Sequence, residues 1–119
     1  MLSDKAKEGL VNASPEKRYK SFLTTVADRE EVWILSSDEG CTTLDIDGYI
    51  NIMVWPRKEF CFSIEGESPE SIEIHEFLDY CEELDDPYRF MVFPTDVDSY
   101  IVSVEKMRED LEYYLSQVE

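Results

Sequence analysis

An α+β fold on a mainly antiparallel sheet is what this sequence predicts, and three observations carry it. Helix-period and strand-period segments follow one another along the chain, successive strands are separated by hairpin-length loops, and 119 residues suit one domain. The expectation is a sheet of about four to five strands with three to four helices, in a single compact domain over 14–119.

Residues 1–13 are mixed and weakly patterned and are expected to fray. Ser14-Pro15-Glu16 is a helix start: Ser as N-cap, Pro at the first helical position, Glu in the first turn. Tyr19, Phe22, Leu23 and Val26 then recur at i, i+3, i+4 and i+7, one apolar face of an amphipathic helix. Glu31–Leu35, rich in β-branched and aromatic residues, reads as a strand, and Cys41–Asp45 as a second. Asp47-Gly48 suits a type I′ turn, whose central residues both take φ > 0. Tyr49–Trp55 is the returning strand, and Pro56 stops it.

Pro56–Ile64 is either a short helix carrying Phe60 and Ile64 on one side or an extended segment; the leading Pro favours the helix. Gly66–Pro69 reads as loop. Ile74, Phe77, Leu78, Cys81 and Leu84 form a helical stripe that ends before Asp86-Pro87. Arg89–Phe93 and Tyr100–Ser103 read as strands joined around Pro94–Ser99. Ser103 then caps a last helix with the stripe Val104, Met107, Leu111, Tyr114, Leu115 and Val118.

A hydrophobic content of 43% with 13% aromatic residues supports a packed globule, although the net charge is −17. That charge is concentrated. Glu59–Asp86 carries eleven carboxylates and no Lys or Arg, whereas Met1–Ile34 is neutral, with six acids and six bases. Phosphate contacts need clustered Lys and Arg, so direct nucleic-acid binding is disfavoured. No apolar stretch approaches a membrane span and no apolar run follows Lys5 and Lys7, so neither a membrane protein nor a signal peptide is expected. Cys41, Cys61 and Cys81 are odd in number and lack metal-ligand spacing, which predicts free thiols in a reducing cytoplasm.

Motifs for chemistry are sparse. Asp45-Ile46-Asp47-Gly48 lacks the third ligand and the later Glu of a calcium loop, so a turn is the better reading. His75 is the single histidine, flanked by Glu73 and Glu76, and reads as a surface residue. The four glycines are isolated, so there is no phosphate-binding loop. With twenty-eight acids, chance carboxylate pairs have no specificity. The expectation is a protein that is not an enzyme and needs no metal or cofactor.

The segments Arg18-Tyr19, Phe22-Leu23, Glu31-Val32-Trp33, Asp47-Gly48, Val54-Trp55-Pro56, Glu76-Phe77-Leu78 and Val92-Phe93-Pro94-Thr95 resemble a family of small bacterial proteins, each a single domain of unknown function. The resemblance runs from Ser14 onward. It implies the α+β fold and a bacterial cytoplasmic origin, and nothing mechanistic.

Two functional expectations follow. Glu76, Asp79, Glu82 and Glu83 lie off the apolar stripe of their helix and so face outward together. They would dock a basic protein, which relieves their mutual repulsion and is steered by it, in an immunity-type or regulatory role. Alternatively, Trp33, Trp55 and Phe93 gather near one end of the sheet, where an aromatic cleft would serve a small-molecule-binding protein or weak enzyme.

Overall fold

Ser14 starts the first long helix as its residue type predicts: its hydroxyl accepts the Lys17 backbone N–H at 3.3 Å, and Pro15 opens α2 (Pro15–Arg29). The computed structural model describes residues 4–118. Before α2 lies a short helix, α1 (Asp4–Val11), in the segment expected to fray; residues 1–3 fall outside the described ones. Its sequence hides it because Leu10 alone packs against the core and no apolar stripe forms. Tyr19, Phe22, Leu23 and Val26 are all buried, as their spacing implies. Glu30 ends α2 in the left-handed region (φ 59), turning the chain into β1 (Glu31–Ser37).

The next strand differs from expectation. Cys41–Asp45 is not one strand but two: β2 (Gly40–Cys41) pairs with β1, and β3 (Thr43–Ile46) pairs with β4 (Tyr49–Val54). Thr42 is the switch between sheets, donating its backbone N–H to Leu35 O at 2.9 Å and its hydroxyl to Glu67. Asp47 (φ 53) and Gly48 (φ 83) form the β3–β4 turn with the positive angles expected.

Pro56–Ile64 is mostly non-helical, with a single 3₁₀ turn at Lys58–Phe60. Phe60 packs on Phe93 at 4.7 Å and Phe62 meets Trp55 edge-on at 5.3 Å, and a continued α-helix would not carry aromatics at i and i+2 to one core. β5 (Ser68–Glu73) follows, and its first two residues, Ser68 and Pro69, fall in the Gly66–Pro69 stretch expected to be loop. β5 pairs antiparallel with β1 from Glu31↔Glu73 to Ser36↔Ser68, and its edge position tolerates Pro69.

α3 (Ile74–Glu83), β6 (Tyr88–Val92), β7 (Tyr100–Ser103) and α4 (Val104–Val118) fall where their patterns predict. Ser103 accepts the Lys106 N–H at 3.1 Å, capping α4. Burial along α4 stops at Leu115; Val118 is exposed.

The architecture is α+β, with two sheets in place of one: β2-β1-β5 and β3-β4-β6-β7. A two-bond antiparallel bridge, Trp33↔Trp55, links them at 3.0 and 2.9 Å. Every pairing is antiparallel except β4–β6, whose crossover contains β5 and α3. α2 and α3 pack on the face of the larger sheet that carries Phe90 and Tyr100, shown by the Phe77–Phe90 (5.2 Å) and Tyr19–Tyr100 (4.6 Å) ring contacts, and α4 lies against both helices and meets β6 and β7.

Candidate functional site

Glu73 builds the start of α3. Its Oε2 accepts the His75 backbone N–H at 2.5 Å, and its Oε1 lies 2.9 Å from His75 Nδ1. The backbone N–H, followed by the imidazole, holds this carboxyl below the usual carboxylate range. Ile74, Phe77 and Cys81 then turn inward. The 3.6-residue period sends Glu76, Asp79, Glu82 and Glu83 the other way, and all four are exposed. None of them pairs with a base among the described residues. Glu82 and Glu83 also occupy the last turn, which has no basic residue, so they sit at the negative end of the helix dipole. The local electrostatics oppose folding here and favour an arriving cation.

Two hollows flank the C-terminal half of α3 and share Leu84 and Tyr88. The larger, about 590 Å³, lies between the two sheets with Ile34, Ile52, Ile72, Phe77 and Phe90 on its apolar lining and Glu70 and Glu76 among its polar residues. The smaller, about 340 Å³, runs toward α4 and adds Glu82, Asp85, Asp86 and Glu105 against Arg108. The acidic face of α3 is thus continuous with an apolar groove through Glu76.

The aromatic cleft is overturned. Trp55 and Phe93 are 0% and 1% exposed. Trp55 donates its indole N–H to Pro94 O at 3.1 Å, and Phe93 (φ 47) gives its N–H to Val54 O at 2.7 Å. Phe60 and Phe62 fold back over both rings, so that end of the sheet is closed core. Trp33 is half-buried, with its indole N–H on Glu31 Oε1 at 3.2 Å.

Two polar clusters, one around the buried Arg18 and one around the buried Asn51, escape the sequence reading. Arg18, 1% exposed, donates from Nη1 to Ala13 O at 2.5 Å, from Nε to Phe93 O at 3.2 Å and from Nη2 to Asp98. Its place four residues before Phe22, on the apolar side of α2, was the available signal. The second cluster joins Asn51 on β4 to Arg89 on β6. Nothing local marks it, because the parallel register that pairs Asn51 with Arg89 is non-local.

The cysteines are unpaired. Burial pushes the Cys61 and Cys81 thiols up to about 12, so neither is a thiolate at neutral pH. Among the described residues no cluster of three His, Cys, Asp or Glu side chains could hold a metal ion, and no helix is long and apolar enough to cross a membrane.

Fold and surface define a strongly acidic α+β domain of mainly antiparallel strands. Residues 19–111 match the model of the family described as protein of unknown function (DUF2750), and the chain belongs to that family. The matched stretch contains all seven strands and α3. No curated protein matches the chain.

Proposed function

We propose that this chain is a non-enzymatic binding module of the bacterial cytosol that docks a basic protein along α3. The observation that carries the reading is the exposed set Glu76, Asp79, Glu82 and Glu83, none in an ion pair among the described residues, in a stretch of eleven carboxylates without a base. Lys or Arg side chains of the partner lie along these four carboxylates, and an apolar side chain beside them enters the groove over Ile34 and Phe77. Such a partner removes like-charge repulsion that the free domain bears and is drawn in by long-range attraction. An immunity-type or regulatory role, covering the basic surface of a toxin or nucleic-acid-binding protein, suits this chemistry.

The test is capture from bacterial cytosol at low salt with the wild-type domain and with the variant Glu76→Gln, Asp79→Asn, Glu82→Gln, Glu83→Gln side by side. A basic protein held by the wild type, released by salt and missing from the variant, is the expected result. Equal capture by both removes α3 from the account. Salt-insensitive binding in the groove would instead favour a small organic ligand, for which about 590 Å³ is ample.

A further inference from the structure

On the face of the larger sheet turned away from the helices, Leu44, Asn51, Arg89 and Ser103 lie in one transverse row. Ile46 and Tyr49 form the next row toward the hairpin, and Ile101, opposite Met91, lies diagonal to Arg89 in the row on the other side. Period two fixes the direction of these side chains, because Phe90 and Tyr100 point to the helices. Farther along, Phe62 covers Trp55. The hairpin end is open: Leu44, Ile46, Tyr49 and Ile101 keep 40%, 38%, 41% and 39% of their surface exposed.

Arg89 is held at the centre of this face. Asn51, fully buried, donates its amide to Leu44 O at 3.0 Å and Tyr49 O at 3.3 Å, which turns its Oδ1 toward Arg89. Arg89 Nε donates to that oxygen at 2.7 Å, and the guanidinium lies 4.1 Å from the centre of the Tyr49 ring. One hydrogen bond and one stack fix its plane. Satisfying Asn51 uses Nε alone. Among the described residues neither Nη donates to a protein atom, and no carboxylate pairs with Arg89 although the chain has twenty-eight.

We propose that Arg89 anchors a second docking face, independent of α3, for an extended apolar peptide segment that carries a carboxylate. The free Nη pair presents the parallel donors that a carboxylate accepts. Charge complementarity names the anion, and the span names its carrier. From β3 to β7 is three inter-strand spacings, about 14 Å, which a small carboxylic acid does not cover. Residues i to i+4 of an extended chain cover about 13 Å, and alternate positions put apolar, carboxylate and apolar side chains on one side.

The probes are acetyl-Leu-Thr-Glu-Thr-Leu-amide and the same peptide with Gln for Glu, titrated into the labelled full chain by two-dimensional NMR. The expected result is shifts at Leu44, Ile46, Tyr49, Ile101 and Arg89 Nε–H, with the Glu peptide binding about tenfold more tightly, as a charge-assisted pair implies. In Arg89→Gln the two peptides bind alike; if that variant does not fold, the peptide pair on wild type decides alone. Equal binding of both peptides by wild type, shifts on α3 instead, or none at this face at millimolar peptide would overturn the proposal. Tighter binding of 3-phenylpropionate at the same residues would overturn the assigned carrier.

Discussion

The corner around Arg18 and the outer face of α3 treat charge in opposite ways. At the corner, a buried guanidinium uses Nε and both Nη atoms on Phe93 O, Ala13 O and Asp98, and the surrounding Met1–Ile34 is neutral. On α3, four carboxylates point into solvent and none forms an ion pair among the described residues. The difference teaches which charges the fold needs. Those of the first kind are paired inside the chain and hold a helix to a loop. Those of the second form no ion pair among the described residues, and like charges three and four residues apart on a helix repel. Arg89 lies between the two, with Nε on Asn51 and no partner for either Nη among the described residues.

The largest effect belongs to the corner. Arg18→Met leaves Ala13 O and Phe93 O without their donor, and should cost about 3 kcal/mol in urea unfolding. Asp98, 42% exposed at its side chain, can rehydrate, which keeps the loss toward the low end for a broken buried pair. A loss within the scatter of surface substitutions would erase the contrast with α3. Next comes the neighbouring cap: Ser14→Ala removes the acceptor of Lys17 N–H and should cost about 1 kcal/mol by the same measurement.

Salt probes the other region. Screening lengths fall from ~30 Å at 0.01 M to ~10 Å at 0.1 M, so the melting temperature should rise across that range as the 59–86 carboxylates cease to repel. A flat or falling value would mean that the domain's own bases already compensate them. Glu73 is the exception within this stretch, since its pKa is lowered by the His75 N–H. A lowered folded-state pKa contributes stability above the free value of 4.5 that is lost as pH falls through the folded value. Glu73→Gln should therefore lie a small, constant amount below wild type at neutral pH and converge with it in acid. A gap that persists in acid would assign the effect to the cap alone.

Local signals carried much of this fold. Ser14-Pro15 and the Tyr19–Val26 spacing placed α2, Asp47-Gly48 placed the hairpin, and the Ile74–Leu84 stripe fixed which carboxylates of α3 face out. What escaped depends on distant partners. β5 contains Pro69 and two glutamates and becomes a strand only because β1 offers an edge. The strand through Thr42 changes sheets to meet β4, which no local pattern records. Trp55 and Phe93 looked like a cleft because nothing in the sequence says that Phe60 and Phe62 return to cover them. Arg89 gains its meaning from Asn51, thirty-eight positions earlier and adjacent only through the parallel register.

The most direct test of the central claim, that the carboxylates of α3 serve a partner and not the fold, is the association rate of the quadruple α3 variant with the captured basic protein across a salt series. Amide side chains keep size and nearly keep helix propensity, and they remove the i, i+3 and i, i+4 repulsions among Glu76, Asp79, Glu82 and Glu83. The variant should be as stable as wild type or a few tenths of a kcal/mol more so. It should nevertheless associate more slowly, with a shallower salt dependence, because the charge that steers the encounter is gone. Wild-type association rates at every salt concentration would contradict the account and leave this face with no role beyond solvation.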